Sequence, residues 1–363
     1  MRDRGFWICT LTAAAAGVVL RVVYVLAVVR GRIPLNGDAE TYHLLGAQLA
    51  NGEGYIRPTE FMESGARIPT AEFPPMYPMF LAGVDLLGVD SPVGQRVVGA
   101  LLGGVTIVVI ALLGAAVAGR TAGMAAAWVA AAYPQLVLLD GSLMSEGLAT
   151  LLIATVLLAV VSARSAESDR RRRTWWAVAG AATGLAVMTR SEFLLLVPLL
   201  LVPATRSDDR RAWARTAAVA CASTIVFTGA WTVRNAASLG HFQPFTNNSG
   251  TALAGANCDA VYSGVQIGGW RLDCVPSGLS EDETVRAGEA RRIGLEYARD
   301  HAGELPSVVA ARLGRTVGVW DVRSNLFFES LESRDYDWLW AAWIAWLVLA
   351  PLAIVGAVAQ RRA

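Results

Sequence analysis

Lysine is missing from this chain: all 31 basic residues are arginines. Charge of either sign is scarce, at 17% of residues, against about 25% in soluble domains. With 54% hydrophobic residues, that shortage excludes a disordered chain and a soluble globular one. The formal net charge is +1, which excludes the basic field of a nucleic-acid binder. Histidine occurs only at His43, His241 and His301, too few for a histidine-rich metal centre. No P-loop, dinucleotide-binding glycine fingerprint, G-x-S-x-G or H-E-x-x-H motif is present. The missing lysine reads as compositional bias, because Ala, Gly, Val and Arg are all heavily used.

Apolar runs take the place of charge. Runs of about 17–25 residues read as membrane helices. Eight are expected, over residues 6–29, 93–118, 122–139, 146–161, 175–189, 192–204, 213–231 and 338–358. The fifth and sixth are short and read as a tight hairpin with Thr189-Arg190-Ser191 at its apex. The expected fold class is an all-α polytopic membrane protein with amphipathic juxtamembrane helices and a small disulfide-bearing extracytoplasmic segment. The first run is expected to be a retained helix, since it is too long for a signal peptide core.

Arginine placement gives the topology. Alternate segments hold Arg2 and Arg4, Arg120, Arg164 with Arg170–Arg173, then Arg206, Arg210, Arg211 and Arg215, then Arg361 and Arg362. The short turns on the other side hold only Arg190. The expected location is the plasma (inner) membrane, with both termini in the cytoplasm and the segments 31–92 and 234–337 outside it. The expected domains are a core over 1–233 that includes the loop 31–92, an extracytoplasmic segment over 234–337, and a last helix with its tail over 338–363. Cys258 and Cys274 fall in an outer segment, where a disulfide is expected, two free thiols being the alternative. Cys9 and Cys221 fall within spans as packing residues.

The first outer segment holds Gly37-Asp38-Ala39-Glu40-Thr41-Tyr42-His43 at the head of an amphipathic helix that Gly52 and Gly54 stop. Glu72-Phe73-Pro74-Pro75-Met76-Tyr77-Pro78 then leads into a short apolar stretch over 79–87. In the second, 281–300 reads as a charged helix and 305–320 as an amphipathic one, with Val308, Val309, Leu313, Val317 and Trp320 on one face and Arg312 and Arg315 near the other.

Few residues carry chemistry. Asp38 is either a helix cap or a catalytic carboxylate. Glu146 is either a dipole-favoured acid at a helix start or part of a site. Arg190 is either paired with Glu192 or Glu146 to hold helices together, or functional. Arg234 is either a snorkelling interfacial arginine or a ligand of phosphate. All four map to the outer face, and two carboxylates with two guanidiniums suit a phosphorylated amphiphile. A single divalent ion on Asp38, Glu72 or His43 stays open.

Five stretches, in order, carry a resemblance: Gly37-Asp38-Ala39-Glu40-Thr41-Tyr42, Pro74-Pro75-Met76-Tyr77-Pro78, Ser145-Glu146-Gly147-Leu148, Thr189-Arg190-Ser191-Glu192 and Trp231-Thr232-Val233-Arg234-Asn235. Over residues 1–250 the chain resembles the glycosyltransferase-C superfamily, in the branch of protein O-mannosyltransferases and lipid A aminoarabinose transferases. The stretch from Ala256-Asn257-Cys258 to Cys274 is similar to actinobacterial members. The resemblance implies a polyprenyl-phosphate sugar donor, an extracytoplasmic site, inversion at the anomeric carbon, Asp38 as the catalytic base, and Arg190 and Arg234 on the donor phosphate. Tyr42, His43, Glu72, Tyr77 and Glu146 would shape the site. The acceptor, a glycan, lipid or protein, is open. The rival readings are a flippase or transporter for the same lipids and a non-catalytic subunit of an envelope complex.

Overall fold

A computed structural model describes residues 4–207 and 209–362; the side chains of Arg361 and Arg362 are outside that description, as is Arg2. Among the described residues the fold is helical, with one isolated β-bridge, Ile56–Pro69. Five helices are long and apolar enough to cross a membrane: Arg4–Val29, Pro92–Ala118, Glu146–Arg164, Arg210–Leu239 and Tyr336–Gln360. A bent pair, Arg120–Ala132 and Pro134–Gly141, which meet at 57°, has the composition of a broken span or a re-entrant loop. The bend follows from sequence: Pro134 has no N–H to donate and forces Tyr133 into an extended conformation.

The described helices do not confirm the expected count of eight. The fifth expected span lies in the helix Asp169–Val187, whose first turns carry Arg170–Arg173, so it is not apolar over a membrane's width. The sixth, Ser191–Ala204, is a short apolar helix wound in 3-10, π and α pieces around Pro198 and Pro203.

The chain forms two compact units. The first comprises residues up to 54, 75–230 and from 331 onward; the second comprises 55–74 and 231–330. These differ from the expected domain boundaries for a local reason. In the second unit the buried carboxylate of Glu283 accepts hydrogen bonds from Thr70 Oγ1 (2.7 Å), the Ala71 amide (2.8 Å) and Asn247 Nδ2 (2.6 Å). That binds part of the first outer loop to the later segment. In the first unit Ser333 Oγ donates to Asn36 Oδ1 (2.8 Å) and the Pro34 carbonyl (3.0 Å), fixing the stretch after 331 beside the start of the helix Gly37–Ala50.

Small residues build the first unit. Ala13, Ala14, Ala111, Ala127, Ala130 and Ala131 pack around Ile107 in one core, and Val156, Ala159, Ala163, Trp176, Ala179 and Ala220 in another. Such residues let membrane helices approach closely. One polar tie runs through the first core. Arg21, with no exposed surface, donates to Asp140 Oδ2 (2.6 Å) and to the carbonyls of Ala131 (3.0 Å) and Ala130 (3.2 Å) beside the Pro134 break. It thus satisfies groups that the bend releases. Arg21→Met leaves Asp140 buried and uncompensated, so it is expected to cost about 3–5 kcal/mol, read as a lowered unfolding midpoint in detergent.

In the second unit Cys258 and Cys274 are joined by a disulfide. The helix Glu283–Asp300 starts where expected, its N-cap Asp282 accepting from the Thr284 and Val285 amides. The helix Leu305–Thr316 is turned differently from its expected face. Val308 is buried against Val261 and Tyr262, and Arg312 and Arg315 bond inward to the Ala256 and Ile267 carbonyls. Val309, Leu313, Val317 and Trp320 are exposed. Cys258→Ser opens a loop of 16 residues, and the chain-entropy account gives about 3 kcal/mol of lost stability for a loop of about that size. Faster protease cleavage between 257 and 275 would report it.

Candidate functional site

The site lies in the first unit, where three turns converge. Gly37 has φ of 60°, in the left-handed region that glycine enters without steric cost, and so brings Asp38 into the first turn of the helix Gly37–Ala50. Leu143, at φ 55°, precedes Ser145 and Glu146; Ser333, at φ 57°, precedes Arg334. Left-handed non-glycine residues cost about 1–2 kcal/mol each and gather at functional sites.

The charges these turns deliver form one cluster. Glu146 Oε1 is ion-paired with Arg190 Nη1 (3.1 Å) and accepts from Arg334 Nη2 (3.2 Å), while Arg190 Nε donates to Glu192 Oε1 (2.7 Å). Glu146 Oε2 is buried without a hydrogen-bond partner. The hairpin before Arg190 is tied to the proline-rich turn by the Met76 amide, which donates to the Met188 carbonyl (2.9 Å). Tyr42 Oη bonds to Ser145 Oγ (3.5 Å), and its ring meets Tyr77 edge-on at 5.1 Å. Asp38 is half-buried, and no hydrogen-bond or ion-pair partner lies against its carboxylate among the described residues. Burial, then the Glu146 charge, pushes its pKa above 3.8; Arg190 and Arg334 pull the other way. Burial likewise pushes the Tyr42 phenol up.

Below the charges lies an apolar groove of about 450 Å³. Ile110, Leu113, Leu139, Ile153, Leu157 and Phe193 line it, and Glu146 and Arg190 are the charged members of its wall. Its size and lining suit a hydrocarbon chain, with a guanidinium where a lipid head would sit.

The structure thus brings together Asp38, Tyr42, Tyr77, Glu146 and Arg190. It adds Arg334, which the sequence reading missed; Arg334 has no periodic or motif signal, and only its packing beside residue 36 places it. Asp38 is not a cap: Asn36 holds that position. His43 turns elsewhere, its Nδ1 within 2.8 Å of Gln95 Oε1, while Gln95 Nε2 donates to Asp85 Oδ1 (2.5 Å). Glu72 and Arg234 belong to the second unit. Glu72 is exposed. Arg234 donates to the Thr70 carbonyl (2.6 Å), the Tyr55 carbonyl (2.6 Å) and Asn235 Oδ1 (3.1 Å), and its guanidinium lies over the Trp231 and Tyr55 rings. Among the described residues no three of His, Cys, Asp and Glu gather to hold a metal ion.

Residues 72–233 match the model of the dolichyl-phosphate-mannose-protein mannosyltransferase family. That match takes in three of the five motifs that carry the expected resemblance and the first three residues of a fourth, Trp231-Thr232-Val233; residues 37–42 lie outside it. Among solved structures the chain is similar to the oligosaccharyltransferase of Archaeoglobus fulgidus, in complex with zinc and sulfate, at 18% identity and a TM-score of 0.48. That match covers 89% of this chain and 39% of the other, so the chain spans well under half its length. It is also similar to ArnT from Cupriavidus metallidurans, bound to undecaprenyl phosphate, at 16% identity and a TM-score of 0.49, over 99% of this chain and 73% of that one. No curated protein matches. The chain is an all-α, multi-pass membrane protein.

Proposed function

We propose that this protein is a membrane glycosyltransferase that moves a sugar from a polyprenyl-phosphate donor to an acceptor hydroxyl, with inversion. The supporting observation is a half-buried carboxylate beside paired arginines at the rim of an apolar groove. Asp38 takes the proton of the acceptor hydroxyl. The acceptor oxygen attacks the anomeric carbon, and the bond from that carbon to the phosphate oxygen breaks. The lipid phosphate leaves with the bonding electron pair, held by Arg190 and Arg334. A phosphate is a competent leaving group, so one base and cationic stabilisers suffice, unlike glycoside hydrolysis with its two carboxylates.

Glu146 holds both arginines and offers Oε2 to a sugar hydroxyl; Tyr42 and Tyr77 wall the site. Arg234, the other arginine expected on the phosphate, lies in the second unit, where it donates to the Thr70 and Tyr55 carbonyls and Asn235 Oδ1. The short turns at 140–145 and at Arg190, which hold no arginine but Arg190 itself, support an extracytoplasmic reaction. Reconstitution with radiolabelled polyprenyl-phosphate sugars tests the proposal. Sugar released to an acceptor or to water supports it; movement of intact lipid across the bilayer without sugar release overturns it in favour of a flippase.

A further inference from the structure

Arg21 and Arg96 are both buried arginines of the first unit, and their surroundings are opposite. Arg21 is fully engaged, by Asp140 and three carbonyls. Arg96, on the helix Pro92–Ala118, is 3% exposed, and its Nε and Nη2 are buried with no hydrogen-bond partner. Guanidinium does not give up its proton in a protein, so this is a standing charge without a counter-charge. Such a group is strongly unfavourable unless something pairs with it, and an ionisable residue at membrane depth marks a ligand or ion path by default.

Its neighbours point to where that counter-charge comes from. The phenols of Tyr24 and Tyr77 are close enough to interact with it electrostatically. Tyr77 also interacts with Glu146 and Tyr42. Tyr24 lies close to Asp335, next to Arg334. Arg96 therefore lies one tyrosine away from the cluster of Glu146, Arg190 and Arg334. Those two arginines already share carboxylates. An arriving anion must compete with Glu146 and Glu192 there, whereas at Arg96 it gains a whole unshared pair. Both phenols can donate to an oxyanion held at that point.

We infer that Arg96 is the principal binding charge for a phosphate-type oxyanion in this site. The inference rests on the proposed function in one respect, that the oxyanion is a lipid phosphate; free phosphate offers the same chemistry. Arg96 then governs affinity for the phosphate, and Arg190 and Arg334 act on the charge that develops as the bond to it breaks.

Thermal unfolding of the full chain in detergent micelles tests this, with undecaprenyl phosphate and inorganic phosphate as separate probes, for wild type, Arg96→Lys and Arg96→Gln. Without ligand, Arg96→Gln is expected to melt at or above wild type, because it removes an unpaired buried charge. Undecaprenyl phosphate is expected to raise the wild-type midpoint, to raise that of Arg96→Lys less, and to leave Arg96→Gln unmoved. A shift in Arg96→Gln equal to that of wild type overturns the inference. So does a ligand-free Arg96→Gln that melts well below wild type, since that is the behaviour of a structural arginine. An Arg96-dependent shift as large with inorganic phosphate assigns the site to the free ion; a shift with the lipid alone assigns it to the headgroup. Asp38→Asn, run in parallel, is expected to keep the shift. An Arg96-dependent shift in a protein that never transfers sugar leaves the anion site standing and removes the transferase reading. Sugar transfer with an unchanged shift in Arg96→Gln does the reverse.

Discussion

Asp38→Asn is expected to lower the rate of sugar transfer by about 10²–10⁴-fold, the range a positioned general base contributes. Asparagine keeps the shape and removes the proton-accepting charge. No hydrogen bond or ion pair of Asp38 is lost with it among the described residues, so the fold gives no other route to so large an effect. The donor KM is expected to stay within a few-fold of wild type, because the phosphate is held by arginines. Single-turnover transfer from a labelled donor, with lipid binding measured on the same preparation, separates the two quantities. A variant retaining more than about a tenth of wild-type turnover removes Asp38 from the base role, given the lower bound of that range.

The same carboxylate makes a stability prediction of definite sign. Burial raises the folded-state pKa of Asp38 above 3.8, with Glu146 adding to the rise. The folded protein therefore holds the Asp38 proton more tightly than the unfolded chain does. That contribution is fully present below pH 3.8 and is lost as pH climbs through the raised value. At neutral pH the ionised Asp38 is a cost that Asp38→Asn does not bear. The variant is expected to melt at or above wild type at pH 7, the gap closing as pH falls. Wild-type turnover is expected to rise with pH across the same window, since only the carboxylate form accepts the proton. An Asp38→Asn protein less stable than wild type at pH 7 contradicts the strained-carboxylate account.

Much of this was legible in the sequence where the signal is local. Long apolar runs gave four of the five full-length spans to within a few residues, the helix Arg210–Leu239 running eight residues past its expected end, and the Asn36-Gly37-Asp38 turn with its helical spacing gave the helix that carries Asp38. The readings that failed needed information the sequence does not hold locally. Periodicity groups Val308, Val309 and Leu313 without saying which side meets the core, and Val308 alone turns inward. Hydrophobic length cannot separate a span from a helix such as Asp169–Val187 that only partly qualifies. Arg334 meets Glu146 across 188 positions, and Arg96 stands out only through the partners it lacks. Arg234 carries a motif, and its bonds to the Thr70 and Tyr55 carbonyls come from 164 and 179 positions away.

Arg190 distinguishes a phosphate-stabilising cluster from a purely structural one. Its side chain is 38% exposed and its two ion pairs are to Glu146 and Glu192. Pairs exposed to that degree are worth about 0–1 kcal/mol, so Arg190→Gln is expected to fold with little change in midpoint. If the guanidinium stabilises charge on the departing phosphate, the same variant loses about 10²–10³ in kcat, the cost of removing one preorganised donor from a developing oxyanion. Glu192→Gln is the matched control. It removes the more exposed of the two partners and leaves the Glu146 pair in place, so turnover within a few-fold of wild type is expected. A kcat for Arg190→Gln no lower than that of Glu192→Gln would make Arg190 a helix tie. The loss belongs in kcat and not in KM because Glu146 and Glu192 already neutralise Arg190 before the reaction. Ground-state binding has little to gain there, whereas a leaving group whose negative charge grows as the bond lengthens draws the guanidinium away from its carboxylates only in the transition state.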